Sequence, residues 1–275
     1  MNRLKSIIIR FFPFLVFGDS VFSVLGHPYA LARTGLKSAL IKLSSGLPHG
    51  PLLDIGCGSM PYRDIFKSSM PYHGLEIDQA RNRENPLVDF FYDGLLLPFS
   101  DHSYSVVFSS QVLEHSFEPE LFLTECFRVL KPEGSLLLTI PFMWPEHEQP
   151  WDSQRFTSYG LIHRLEKSGF SIVSIIRVNP GITALLQLLI EWNESNIRLF
   201  LCGVSARSLR RHLLLAWRLC WAIPYTFLNM IGIVYRSFHS RIQKGKSQAH
   251  LPEMFLDLVI LAKPNKLPVT TANQG

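Results

Sequence analysis

Between Pro51 and Arg177 the chain alternates short apolar runs with stretches in which apolar residues recur every third or fourth position. Bounded apolar runs read as strands, and the three-to-four recurrence reads as a helix with one covered face. The pattern predicts strands at residues 52–55, 74–77, 88–92, 105–109, 135–140 and 170–177. Strands this uniformly apolar suit a parallel sheet covered on both faces, so the alternation describes βαβ units. A helix is predicted over 118–130, where Leu123, Cys126, Phe127 and Leu130 share a face, and Lys131-Pro132-Glu133-Gly134 is expected to stop it. Another starts from a cap on Thr157 or Ser158, turns Leu161, Ile162 and Leu165 inward, and ends at Gly169.

Beyond Pro180 the periodicity changes. Residues 182–190 are apolar and helical, 213–235 are strongly apolar around one charge, Arg218, and 254–262 form a last strand-like run. The chain thus divides into an N-terminal helical or amphipathic segment (1–45), a core (46–180), an apolar helical insert (181–250), a strand returning to the core sheet (251–264) and a tail (265–275). Charge sharpens this division. The 275 residues carry 27 Lys+Arg against 22 Asp+Glu, a net charge of +5. That surplus is local: residues 198–246 hold Arg198, Arg207, Arg210, Arg211, Arg218, Arg236, Arg241, Lys244 and Lys246 and no acid. A slightly acidic body carries a basic insert. With 47% hydrophobic residues the chain can build a large core, which excludes global disorder. A mean hydropathy of +0.15 implies that some apolar surface has a use.

Cys57, Cys126, Cys202 and Cys220 are scattered without a C-x-x-C pair, which argues against a disulfide framework and points to a reducing compartment. No metal site is indicated, because the histidines lack carboxylate or thiol partners at ligand spacing along the chain. Near the start, Arg3, Lys5 and Arg10 border an apolar stretch broken by Pro13, with no small-residue cleavage site after it. An amphipathic helix on the body or on a membrane fits this better than a signal peptide. The Asn193-Glu194-Ser195 tripeptide matches a glycosylation acceptor, which a reducing compartment voids.

Candidate chemistry begins at Leu52-Leu53-Asp54-Ile55-Gly56-Cys57-Gly58-Ser59, an apolar strand, an acid near its end and two glycines one residue apart. Such glycines allow a tight turn and close approach of a ligand, at the crevice where open α/β sheets bind theirs. Glu76 stands 22 positions past Asp54, at the end of the next predicted strand, where a carboxylate can accept hydrogen bonds from a ribose diol. This permits a nucleotide-type cofactor without choosing one. A dinucleotide fold would want a third glycine at position 61, which is Pro61, and the chain also lacks a Tyr-x-x-x-Lys pair; both weigh against an NAD-dependent sugar-nucleotide enzyme.

The same segment resembles motif I of class I S-adenosylmethionine-dependent methyltransferases, in the small-molecule group that includes the ubiquinone/menaquinone type. Three further segments are similar in order and spacing: Asp93-Gly94-Leu95-Leu96-Leu97-Pro98-Phe99, Val112-Leu113-Glu114-His115, and Glu125 through Gly134. The resemblance covers roughly residues 51–142. It implies a Rossmann-like α/β fold with a seven-stranded, mostly parallel sheet and an antiparallel last strand, preceded by the helical apolar insert. It implies S-adenosyl-L-methionine as cofactor, with Gly56 and Gly58 along its methionine part and Asp54 supporting that loop. Glu76 would take the ribose hydroxyls, Asp93 the adenine amino group beside Gly94 and Leu95, and Gln111 would lie near the methionine end. Two positions depart from the pattern: Met60 stands where a third glycine is common, and Ser105 where many members have Asp.

Methyl transfer from a sulfonium is an in-line displacement, so alignment supplies most of the catalysis and a base is needed only for an acceptor that keeps its proton. Candidates cluster in the loop 141–155, which holds Trp144, His147, Trp151, Asp152 and Arg155 and resembles loops in methyltransferases of bacterial surface-polysaccharide and lipid pathways. His147 is the expected base, with Asp152 and Arg155 orienting it or clamping the acceptor. The alternative is a loop-stabilising Asp152–Arg155 pair beside an exposed His147. His115 reads equally as a second catalytic candidate or as a packing histidine.

Residues 219–235 form an uncharged run between basic flanks, interrupted by Pro224 and Asn229. The run is short for a membrane span and favours a helix, or two broken ones, lying in an anionic headgroup region, with Trp217, Trp221 and Tyr225 as anchors. A packed lid, a dimer surface and a true span are the other readings; nucleic-acid binding is disfavoured because the basic residues are interleaved with Leu, Ile and Phe. The expected protein is a methyltransferase, cytoplasmic and peripheral on the inner face of a membrane, acting on oxygen of a lipid-linked or glycan-type small molecule. A non-catalytic cofactor-binding or scaffold protein of the same fold is the rival.

Overall fold

A computed structural model describes residues 26–66, 70–243 and 254–265. The expected N-terminal amphipathic stretch, Lys244, Lys246 and the tail after Asn265 lie outside the described residues. The described residues form two compact units, one containing Leu36–Val178 and the chain from Asp257 on, the other containing Asn179–Leu256 and residues up to Gly35.

The first unit is a seven-stranded sheet, in order β3-β2-β1-β4-β5-β7-β6. Its strands are β1 (Leu52–Ile55), β2 (Tyr72–Ile77), β3 (Phe90–Tyr92), β4 (Tyr104–Ser110), β5 (Leu130–Pro141), β6 (Phe170–Val178) and β7 (Asp257–Pro264). The pairings from β3 to β5 are parallel, and β7 runs antiparallel to both β5 and β6. All four residues of β1 are buried, as a strand covered on both faces requires. One covering layer brings Leu36, Leu40 and Leu43 of α1 (Ala30–Ser44) onto Leu52, Phe108, Leu137 and Val259. Burying such side chains removes on the order of 1.5–3 kcal/mol of apolar exposure each.

The remaining helices are a short α2 (Ala80–Arg83), α3 (Pro119–Val129) and α4 (Ser158–Lys167). Thr157 caps α4 by accepting from the Gly160 N–H at 3.1 Å, and Gly169 follows its end at φ +90° against Phe127. One boundary differs from expectation. The Lys131–Gly134 segment does not form a separate stop, because β5 starts at Leu130, directly where α3 ends, and Leu130 pairs with Tyr104. The ladder then shifts register beyond Tyr104, and Gly134 fits there because a Cβ would sit 2.8 Å from the Lys131 carbonyl.

The second unit is built on α5 (Ile182–Leu201) and α6 (Arg207–Gln243). At about 1.5 Å per residue, α6 is roughly 55 Å long. It continues through Pro224 rather than breaking there: Pro224 and Cys220, whose carbonyl loses its partner, are both exposed, so water can satisfy it. Asn229 does not interrupt the helix either, since it is fully buried and donates to the His27 carbonyl at 3.2 Å.

Beside apolar residues such as Leu31, Ile190 and Leu201, the inside of this unit holds several paired polar groups. Gln187 donates to the Pro28 carbonyl at 2.7 Å and accepts from the Ala32 N–H at 3.1 Å. Glu194, with no exposed surface, accepts twice from Arg218, at 2.8 and 3.0 Å, and from the Tyr225 hydroxyl at 3.2 Å. Arg236 donates to Asn179 at 2.9 Å. Tyr225 is therefore buried rather than an interfacial anchor, and Arg218 and Arg236 turn inward. The outside carries the apolar residues: Ile223, Phe227, Met230, Val234 and Phe238 are all at least half exposed, at helical spacing along one side of α6.

Candidate functional site

A cavity of about 570 Å³ opens at the carboxyl ends of β1 to β4, within the sheet unit. That is the position at which open α/β sheets bind ligands, and the volume falls in the range of small-molecule sites. Of the eight residues expected to hold the cofactor, Gly56, Gly58, Glu76, Asp93, Gly94, Leu95 and Gln111 line it. Asp54 does not. Its side chain lies beneath the loop, accepts from the Tyr72 hydroxyl at 2.5 Å, and burial pushes its carboxyl up to about 7.

The loop after β1 has the conformation its glycines allow. Gly56 has φ +70°, and a Cβ there would stand 2.4 Å from a Val112 methyl. The Gly58 N–H donates to Glu76 Oε1 at 2.7 Å, and Asn82 donates to the other Glu76 oxygen at 3.3 Å. Each carboxylate oxygen keeps a further lone pair for a ligand. Asp93 accepts from the Leu95 and Leu96 N–H groups at 2.8 and 2.9 Å, and these bonds hold its carboxyl below the usual range. Gln111, at φ +59°, is pinned by Thr139 through main chain at 2.9 Å and side chain at 3.1 Å.

The two departures acquire physical explanations. Met60 takes φ +52°, a glycine-like conformation, and its buried side chain reaches Gly74, where a Cβ would come within 2.3 Å of it. The turn is kept and Met60 fills the space behind it. Ser105 is buried at the start of β4, its hydroxyl against Gly50, and does not line the cavity.

The structure brings the acceptor-side candidates together. Asp152, its side chain 1% exposed, accepts from Arg155 Nη1 and Nη2 at 2.5 and 2.7 Å and from the His147 N–H at 2.9 Å. Burial alone would raise its pKa, but these bonds win and hold it at about 2. His147 Nδ1 lies 3.0 Å from the same carboxylate, and the His147 and His115 rings meet edge to face at 5.0 Å. His115 lines the cavity, whereas His147, Asp152 and Arg155 stand behind it. Burial lowers the His115 pKa and raises that of fully buried Glu114 to about 8.

Sequence reasoning missed Asn82, Tyr92, Phe117 and Phe122 as lining residues. Phe117 had a signal, an aromatic just past the fourth strand; with Trp151, at 6.0 Å between rings, it forms an exposed aromatic pair at the wall. Asn82 had none, because α2 is a single turn.

A methyltransferase domain family matches residues 53–138, the span that builds the glycine loop, β2 to β4 and most of β5. Residues 53–138 therefore form a methyltransferase domain. The domain is 30% identical over 142 residues to a Mycolicibacterium smegmatis protein named as a probable S-adenosylmethionine-dependent methyltransferase, covering 47% of this chain and 55% of that one. It is 29% identical over 136 residues to the malonyl acyl-carrier protein O-methyltransferase of Alcanivorax borkumensis, covering 46% of each. The chain thus spans about half the length of these curated relatives. The crystal structure of the cyclase SpnF is similar in fold, with TM-score 0.53, 17% identity and 96% of both chains covered. S-adenosylmethionine is the cofactor named for the Mycolicibacterium relative, and the cavity here suits such a group: a loop with no room for a Cβ at Gly56, the Glu76 carboxylate at the rim, and an apolar wall at Ile77 and Leu95.

Proposed function

We propose that this protein methylates an oxygen of a lipid-linked or glycan-type small molecule at the cytoplasmic face of a membrane. The observation that carries the acceptor class is the exposed apolar stripe of α6, bounded by exposed Arg207, Arg210, Arg211 and Arg241. Apolar side chains between cations suit the boundary of an anionic bilayer. By length and composition α6 could also cross a membrane. Its opposite side, however, carries Asn229, Arg218 and Arg236, turned into its own unit, and a helix with one polar face favours lying in the interface.

In this reading Gly56, Gly58 and Gln111 hold the methionine part of the cofactor, Glu76 the ribose, and Asp93, Gly94 and Leu95 the adenine, with Asp54 bracing the loop from below. When bound, S-adenosylmethionine supplies a methyl group on a positively charged sulfur. His115 faces the acceptor, with His147, Asp152 and Arg155 as the positioning set behind it. Phe117 and Trp151 limit the entry of water. Alignment of this kind contributes up to about 7–11 kcal/mol.

Calorimetry with S-adenosylmethionine, S-adenosylhomocysteine and NAD tests the foundation. Both adenosyl compounds should bind, NAD should not, and Glu76→Ala should weaken binding by roughly ten- to a hundredfold, as loss of charge-assisted hydrogen bonds predicts. Absence of adenosyl binding in the parent protein would sink the proposal.

A further inference from the structure

Glu114, His115 and His147 stand together at one side of the cavity, and the roles proposed for the two histidines leave buried Glu114 without a task. We infer that they bind one divalent first-row transition-metal ion, of the zinc type. One potential ligand atom from each lies within 4.8 Å of those of the other two. A tetrahedral site with bonds near 2.1 Å spaces its ligand atoms roughly 3.4 Å apart, so side-chain shifts of about an ångström would close the set.

Three independent features favour an ion over mere packing. First, Glu114 has no exposed surface, and neither of its carboxylate oxygens has a hydrogen-bond partner. Buried polar groups are nearly always satisfied; the Arg155 cation acts on Glu114 through space without bonding to it, and a bound ion would supply the missing direct partner. Second, Nδ1 of His115 is likewise buried and unpartnered. Third, His147 is already oriented. Its Nδ1 faces the Asp152 carboxylate at 3.0 Å, which Arg155 grips through two bonds, leaving Nε2 for the ion. A carboxylate behind a ligating imidazole is the usual outer partner of a metal-bound histidine.

The donor set also selects the ion. Two imidazoles and one carboxylate suit Zn²⁺ or Fe²⁺, whereas Ca²⁺ and Mg²⁺ prefer all-oxygen sites. Sequence spacing conceals the set, because Glu114 and His115 are adjacent beyond β4 while His147 arrives on the loop after β5. The inference does not rest on methyl transfer, and its test does not use it.

The full-length protein, stripped with a chelator, is titrated with Zn²⁺ by calorimetry and with Co²⁺ by visible absorption. The expected result is one ion per chain with a ligand-field spectrum of Co²⁺, and a rise in unfolding temperature with Zn²⁺. His147→Ala should weaken binding at least tenfold and abolish the temperature rise, as should Glu114→Gln; Asp152→Asn should cost about ten- to a hundredfold. His163→Ala, an exposed histidine of α4, should change nothing. Should Glu114→Gln fail to fold, the partly exposed His147 still decides the matter. Absence of saturable binding in the parent protein, or binding unaltered by His147→Ala, would overturn the inference.

Discussion

The two units of this protein distribute polarity in opposite ways. In the sheet unit the strands β1, β4, β5 and β7 bury nearly every apolar side chain. In the helical unit the fully buried residues include Thr183, Gln187, Glu194 and Asn229, while Ile223 and Phe200 are 81% and 78% exposed. The first is organised as a soluble core. The second pairs several polar groups inside and turns an apolar stripe outward, the kind of exposed surface that marks an interaction site. Apolar burial dominates the sheet unit, whereas the helical unit leaves an apolar stripe uncovered, the feature on which the proposed membrane encounter rests.

Perturbing each unit where it differs sharpens this contrast. The largest loss is expected from Leu137→Ala in β5, a fully buried position, at about 2–5 kcal/mol in denaturant unfolding. A value under 1 kcal/mol would mean that the sheet unit is loosely packed. Next comes the acid beneath the glycine loop. The Asp54 carboxyl is raised from 3.8 to about 7 by burial, so the folded state holds an extra proton between those values and stability falls as pH rises through that window. Asp54→Asn should remove up to one proton from the slope, ~1.4 kcal/mol per pH unit. The slope should persist in part, because burial also raises Asp257 to about 7. Thermal unfolding from pH 4 to pH 8 tests this, and an unchanged slope would show that Asp54 stays ionised. The smallest effect on stability belongs to the stripe. Ile223→Glu with Phe227→Glu should change unfolding by roughly 0.5 kcal/mol per site or less, yet reduce sedimentation with anionic vesicles at least tenfold. Loss of folding instead would show that the stripe packs against protein.

Much of the sheet was legible because buried strands write uninterrupted apolar runs, and the turn after β1 because its glycines are conformationally constrained. The β5 boundary was misplaced since Lys-Pro-Glu-Gly reads as a turn, although tertiary pairing with Tyr104 draws Leu130 into the ladder. Tyr225 misled for the reverse reason. Its spacing suits an anchor, but the hydroxyl is claimed from inside by Asn193 and Glu194, a contact that no local pattern announces. The same limit applied at the site, where His115 and His147 meet only after β4 and β5 pair.

The sheet order carries a consequence for how the chain is made. β5 and β6 are separated in space by β7, which is synthesised last of the described strands, after the whole of α5 and α6. At roughly 5–20 residues per second, several seconds pass between completion of β6 and arrival of the strand that joins it to β5. Throughout that interval both strands present an open edge, the feature most prone to mispairing. The stripe of α6 emerges first. If the stripe meets a bilayer as proposed, a nascent chain would be tethered before its sheet can close, and the order of the strands would then set the time of capture as much as its strength.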